Sequence, residues 1–475
     1  MTDQNDYSAV GDTAHGGQEL YDDEGVIRGD YLARIGAAIA DRDILFLKEQ
    51  VSTLHQSELG DLIESLQSEQ RNALISLVGD DFDFTALTEV DEAIRLEIFE
   101  DLPNDKIAEG LGDLNSDDAV YILEDLDEED QREILAKLPF TERIRLRRSL
   151  DYPEETAGRR MQTEFVAVPP FWSIGQTIDY MREDEDLPDS FAQIFVIDPT
   201  FKLLGAVDLD RILRSSRETK IESIMHDTKR QISVDMDQEE AAQLIGQYDL
   251  LSAAVVDEND RLVGILTIDD VVDVIQEEAD EDIKRLGGVG DEELSDDVVS
   301  TVRSRFPWLL VNLVTAIMAS AVIGLFDATI EQMVALAVLM PIVASMGGNA
   351  GTQTLTVTVR ALATKDIDIY NAGRVIRREV IVGLLNGIVF AGFVAVLTYA
   401  WFGSGELGLV IGLAMIINML AAGMAGILLP LLLDKLGVDP AIASAVFVTT
   451  VTDIVGFFAF LGLAGWWFGL IGVAL

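Results

Sequence analysis

One aspartate stands where lipid would be expected. In VFVTTVTDIVGFF, Thr449, Asp453 and Gly456 fall at helical steps of four and three, on one face of an apolar segment. A lone charge at the bilayer centre costs about 2.5–3.5 kcal/mol on insertion scales. No Lys or Arg lies within the apolar runs to offset it. A second stretch, MPIVASMGGNAGTQTLTVTV, interrupts a segment otherwise hydrophobic enough to cross with glycines, two amides and threonines. There Asn349, Gln353 and Thr356 share a face, and Gly347, Gly348 and Gly351 allow close helix approach or expose carbonyl oxygens. Taken singly, the amides and glycines read as interhelical glue, and the carboxyl as a protonated group bonded to a threonine. Taken together, they point to a hydrated cation path. Asp453 is its charged ligand, and Gly348, Asn349, Gln353 and Thr449 supply neutral oxygens. One carboxylate among such oxygens suits Mg²⁺, which keeps most of its water.

Five apolar runs must position these groups, roughly 306–326, 333–359, 379–401, 408–433 and 441–472. Asp453 is read as the single acidic residue well inside any of them. Arg303 and Arg305 precede the first run. Arg360, Lys365, Arg374, Arg377 and Arg378 separate the second and third, and Lys435 the fourth and fifth. The alternate connections, FDATIEQ and FGSGELG, carry no basic residue. This bias predicts a multi-pass plasma-membrane protein with a cytoplasmic N-terminus and an extracellular C-terminus.

Ahead of the runs, residues 1–29 read as a disordered acidic tail with no signal-peptide core. Over 30–150, short amphipathic units such as ELGDLIESL and DQREILAKL predict a stacked helical domain. Over 151–275 a repeat emerges: IFVIDPTFKLLGAVDLDRIL aligns with AAVVDENDRLVGILTIDDVV at an offset of 59 residues. Each copy places a glycine seven residues after the aspartate that ends its first strand (Asp198 to Gly205, Asp257 to Gly264). The pair resembles tandem CBS domains. Residues 276–304 read as a connecting helix, and 305–475 as the transmembrane domain.

The net charge of −49, with pI near 4.1, argues against a nucleic-acid partner. Nine Lys against 25 Arg also match the solvated surface of a salt-adapted protein, so bulk acidity alone marks no cation site. With no cysteine, thiolate sites and disulfides are excluded, and a metal would take oxygen ligands. The three histidines lack ligand spacing. Neither a Gly-rich phosphate loop nor a nucleophile–base pair suggests an enzyme.

Along nearly its whole length after the tail, the chain resembles the MgtE family of magnesium channels. PIVASMGGNAGTQ (341–353), RALATKDI (360–367), LGVDPA (436–441) and TTVTDIVG (449–456) carry the likeness, with YPEETAG (152–158) and DDVVDVIQEEADEDI (269–283). The resemblance implies an all-α superhelical N-terminal domain, an α/β tandem CBS pair and an α-helical transmembrane domain of five spans. It also implies a homodimer in lipid, with the pore between spans two and five of both chains. Mg²⁺, with Mn²⁺ and Co²⁺ as further candidates, would pass, and cytosolic Mg²⁺ would close the pore. Carried over by position, the regulatory ligands are Asp117, Asp237, Glu239, Asp249, Asp270, Asp273, Glu278, Glu281 and Asp282. Where the family pattern has a second acid four residues after Asp117, this chain has Tyr121. Some CBS pairs hold ATP or another adenine nucleotide through Thr-x-x-Asp. The second copy has it in Thr267 and Asp270; the first has Asp208 and Arg211, so nucleotide binding stays open. A proton-coupled carrier and a membrane-tethered sensor without transport are the alternatives to a channel.

Overall fold

The computed structural model describes residues 20–184, 187–188, 190–228, 230–290, 298–367, 371–442 and 445–469. Most of the acidic tail therefore lies outside the described residues. The chain divides into two compact units, Met1–Gln276 and Glu277–Leu475.

The first unit opens with short helices running from Gly29–Asp41 to Phe140–Leu150, none longer than 13 residues. Helices this short are marginal in isolation, and these share one continuous apolar core that includes Ile35, Leu62, Leu87 and Ile122. Part of the acidity is used to start them. Asp43, Asp91 and Asp127 accept backbone N–H groups of Phe46, Ala93 and Glu129 at 3.2, 3.1 and 2.9 Å. Such N-caps satisfy orphan donors and complement the helix dipole. His55 closes a capping box with Glu58, which gives one of the scattered histidines a structural task.

Two three-stranded sheets follow, β1 (Ala167–Val168), β2 (Gln193–Ile197), β3 (Leu203–Asp208) and β4 (Ile232–Ser233), β5 (Ser252–Val256), β6 (Leu262–Thr267). Each has the same order, with a parallel first pair and an antiparallel second pair. Even the register irregularity recurs, at Val196/Ile197 and at Val255/Val256. Phe195 and Ala206 of one sheet pack with Ala254 and Ile265 of the other. Gly264 is required by close approach, since a Cβ there would lie 2.7 Å from the Gln162 carbonyl.

The second unit holds five helices long and apolar enough to cross a membrane. They are span one (Val298–Gly324), span two (Ala335–Ala363), span three (Ala372–Phe402), span four (Gly405–Lys435) and span five (Ala445–Trp467). Span four is the hub, and spans two, three and five pack around it. Small residues make this possible: a Cβ on Gly426 would lie 2.6 Å from the Gly351 carbonyl, so backbones meet directly. Span three starts seven residues before the expected run. Its helix takes in Arg374, Arg377 and Arg378 and carries Glu379 two turns inside. Two acidic residues, not one, therefore sit within span helices well away from the ends.

Candidate ion path and regulatory cleft

Span five buries Val448, Thr452, Gly456, Phe460 and Ala464, a stripe at steps of four. Asp453 flanks that stripe and is half-buried. Span two meets it through its glycines. A Cβ on Gly348 would stand 3.3 Å from Cγ2 of Thr449, and one on Gly351 would stand 2.4 Å from Cγ1 of Val448. Thr449 is one helical turn from Asp453, so the backbone of span two lies beside the carboxylate-bearing face. The threonines look after themselves: Thr449 donates to the Val446 carbonyl at 3.0 Å and Thr352 to the Gly348 carbonyl at 3.0 Å. That lets hydroxyls sit in an apolar helix while keeping lone pairs for another donor or an ion. Asn349, Gln353 and Thr356 are exposed on the chain. Gln353 borders a hollow against span three, on another flank from the Gly348–Thr449 contact.

Sequence reasoning missed Asn418. It is fully buried in span four, and its Nδ2 donates to the Val343 carbonyl of span two at 2.8 Å. A Cβ on Gly347 would fall 2.2 Å from that Nδ2, and one on Gly456 would fall 2.7 Å from it. One amide thus wedges spans two and five apart and ties span four to span two. Its Oδ1 is buried without a partner among the described residues. The available signal was a single amide within the apolar run IGLAMIINMLAAGMAGILL.

In the first unit, a cleft of about 630 Å³ opens between the helical domain and the CBS pair. Asp117, Asp118, Asp269, Asp270 and Asp273 line it. Asp117 and Asp118 begin the helix Ser116–Glu124, and Asp270 and Asp273 lie on Ile268–Gly287. Asp117 is partly exposed, yet its Oδ1 is buried and unpaired. Withdrawal from water, reinforced by Asp270 and Asp118, pushes the Asp117 carboxyl well up. Burial, with Asp270, Asp269 and Asp273 beside it, raises Asp118 to about 7. Burial raises Asp270 to about 6, opposed by the hydroxyl of Thr267, which bonds to it. Asp270 is a like-charged neighbour of Asp117 across the cleft and disfavours its ionised form. Among the described residues no three such groups stand close enough to form a ready coordination shell. The arrangement instead presents opposed carboxyls, one with a buried unpaired oxygen, a donor set that fits a divalent cation. Asp118 and Asp269 belong to this set, though only Asp117, Asp270 and Asp273 were expected.

Tyr121 explains its own departure from the family pattern. Its ring lies under two guanidinium groups, Arg95 at 4.8 Å and Arg160 at 5.5 Å. Arg95 is buried and also bound to Asp125 at 2.7 Å. A carboxylate at 121 would meet arginines, so aromatic contact replaces ion binding there.

The other expected regulatory residues are dispersed. Asp237 is an exposed N-cap accepting from Glu239 and Glu240 N–H, Glu239 takes a bond from Gln243 at 3.1 Å, and Asp249 is exposed at φ 52°. Within the second unit, Arg285 pairs with both Glu281 and Asp439. Asp282 is raised by burial and by the Asp439 charge, with Arg360 opposing. Asp439, from the LGVDPA segment, was not expected among the site residues. Glu278 lies on the same helix and engages neighbours of its own.

These features define a polytopic membrane protein with an acidic cleft in its first unit and a carboxylate within its spans. Comparison with known proteins agrees. Residues 340–463 match the family profile described as "Divalent cation transporter", 54–155 the MgtE intracellular N domain and 221–277 the CBS domain. The magnesium transporter MgtE of Enterococcus faecalis is 36% identical, over 66% of this chain and 70% of the relative. That of Thermus thermophilus is 31% identical, over 90% of this chain and 96% of the relative. A solved cytosolic domain of the Mg²⁺ channel MgtE, in complex with ATP, is 28% identical with a TM-score of 0.48, covering 51% of this chain and 99% of that one. The chain belongs to the MgtE family of magnesium transporters.

Proposed function

We propose that this protein is a Mg²⁺ channel, conducting beside Asp453 and gated by Mg²⁺ in the carboxylate cleft. The observation that carries the proposal is the Asp453 face. A half-buried carboxylate, with no basic partner among the described residues, lies where glycines bring the span-two backbone against span five. An intramembrane carboxylate without a counter-charge needs a cation or a proton. Asn349 and Thr356, exposed on a span, need water or a second chain, which supports a homodimer with the path on its axis. The membrane potential drives entry at about 2.3 kcal/mol per charge per 100 mV.

In the cleft, Asp117, Asp118, Asp269, Asp270 and Asp273 would hold the regulatory cation, while Asp282 and Asp439 form a separate acidic pair within the second unit. The cation supplies positive charge that cancels carboxylate repulsion. The residues do the rest: they tie the Ser116–Glu124 helix to the Ile268–Gly287 helix only when that repulsion is cancelled, so the ion biases the closed state. Asp237, Glu239 and Asp249 add to the acidic surface of the first unit, and Glu278 and Glu281 to that of the second. Thr267, Asp270 and the cleft wall at Phe165 and Ser252 support a nucleotide in the same unit, with Thr267 and Asp270 toward the ribose.

Purified protein in liposomes tests both halves. Asp453→Asn should cut Mg²⁺ flux at least tenfold with the fold intact, and flux in the wild type should move no protons. The double variant Asp117→Asn/Asp270→Asn should conduct even with millimolar internal Mg²⁺. Normal flux through Asp453→Asn would remove the carboxylate from the path. Proton movement in step with the metal would make the protein a coupled carrier.

A further inference from the structure

We propose that Glu379 forms a second cation-binding station in the membrane domain, on the flank of span two turned away from Asp453. It rests on the reading of the protein as a Mg²⁺ conductor and adds a place where the ion is held apart from the Asp453 face. The station is a hollow of about 200 Å³, lined by Gln353 and Thr354 of span two, Glu379 and Asn386 of span three, and Gly423 of span four. Ala350, Gln353, Thr354 and Val357 repeat at steps of three and four, so one helical face supplies that wall.

The hollow is built into the packing. A Cβ on Gly423 would lie 3.1 Å from the Glu379 carbonyl, and one on Gly383 would lie 2.8 Å from the Met419 carbonyl. Spans three and four therefore touch along the floor through backbone. Spans three and five run the same way through the membrane, being separated by one reversal. Glu379 is the eighth residue of its helix (379 − 372 + 1) and Asp453 the ninth of its own (453 − 445 + 1). At 1.5 Å per residue both carboxylates lie about 12 Å along their helices from the starting ends, which face the same side.

The chemistry selects the ligand. The Glu379 side chain is 14% exposed and takes a bond from Thr354 Oγ1 at 3.3 Å. The nearest cation, Arg378, has Nε 4.0 Å away and is 75% exposed, so water screens most of its charge. Gln353 and Asn386 add amides and Thr354 a hydroxyl to the same lining, all hard oxygen donors, and Arg378 is its single basic residue. One charge plus neutral oxygens, in a space holding about six waters, suits a divalent cation that keeps part of its shell. A purely structural glutamate would need only the Thr354 bond, which leaves both amides on the hollow unexplained.

The test uses the full chain in liposomes, with initial Mg²⁺ influx read against external Mg²⁺. Glu379→Gln, which preserves shape and hydrogen bonding, should raise half-saturation about tenfold, a 1.4 kcal/mol effect. Maximal flux and inhibition by internal Mg²⁺ should stay near wild type. Glu379→Asp should restore most of the affinity, and Gln353→Ala should shift half-saturation in the same direction. A Glu379→Gln curve superimposed on the wild type overturns the station. So does a loss of flux in both Gln and Asp variants that tracks lowered melting temperature. If Glu379→Gln does not insert, Gln353→Ala decides by the same shift. Asp453→Asn, run in parallel, separates the two readings: normal flux there with a shifted Glu379→Gln curve removes the Asp453 path and leaves the station standing.

Discussion

The carboxyls of Asp117, Asp118 and Asp270 are all pushed up by folding, and that makes the cleft sensitive to pH when no divalent ion is present. Carboxyls raised by folding bind more protons in the native than in the unfolded state, between the ordinary value of 3.8 and the raised one, about 7 for Asp118. Stability therefore falls as pH rises through that window. In chelator, the melting transition of the first unit should drop by about 5 °C between mildly acid and neutral pH. Millimolar Mg²⁺ should flatten the slope, because a cation takes over the proton's role. A chelated protein whose melting is flat across this range would show that the cleft opens freely and holds no repulsion. At this scale, Asp453, Asp117 and Asp270 were legible, the first from its apolar surroundings and the others through resemblance. Asp118, Asp269 and Asp439 were not. In a chain this acidic, nothing in the local pattern separates an aspartate facing a cleft from one that caps a helix, as Asp43 and Asp127 do.

Helices are set against one another here by what their side chains lack. Gly347 and Gly456 leave room on spans two and five for the Asn418 amide of span four, and that fit decides how closely the Asp453 face is approached. Gly347→Ala should destabilise the detergent-solubilised protein by about 1–3 kcal/mol through overpacking. Asn418→Ala removes the obstructing amide, so the double variant should melt well above the sum of the two single losses. Strict additivity in that cycle would mean the amide and the glycine do not meet. Periodicity and hydropathy found all five spans, since length and apolarity are properties of the segment itself. Their ends were misplaced where charged residues continue a helix past the apolar run, as Arg374 to Glu379 do at the start of span three. That misplacement hid Glu379. Asn418 was hidden for a different reason: its partners, Gly347 and Gly456, are 71 and 38 residues away (418 − 347, 456 − 418).

At the scale of the molecule, an odd number of spans puts the two ends of the membrane domain on opposite faces, and the basic connections choose which. The chain contains no cysteine, so single cysteines report topology cleanly. Ser404→Cys, between spans three and four, should react with an impermeant maleimide on intact cells. Asp366→Cys, between spans two and three, should react only after permeabilisation. The opposite pattern would invert the molecule and place the acidic module outside. The order of parts was readable because each has its own texture: helical period, duplicated strand–turn spacing, long apolar runs. The duplicated spacing survives in three dimensions as matched registers, Gln193 with Asp208 and Ser252 with Thr267. How the parts exchange force was not readable, because it depends on pairs such as Asp117 and Asp270 drawn from distant segments.

Asp270 takes a bond from Thr267 while facing Asp117, and one carboxylate cannot serve a ribose and a metal bridge in full at the same moment. Any nucleotide drawing Asp270 toward Thr267 would weaken the ion in the cleft by some factor. By thermodynamic reciprocity the ion would weaken the nucleotide by the same factor. The protein would then respond to a ratio, free Mg²⁺ set against nucleotide, and the same ion concentration would open or close it according to the energy charge of the cell.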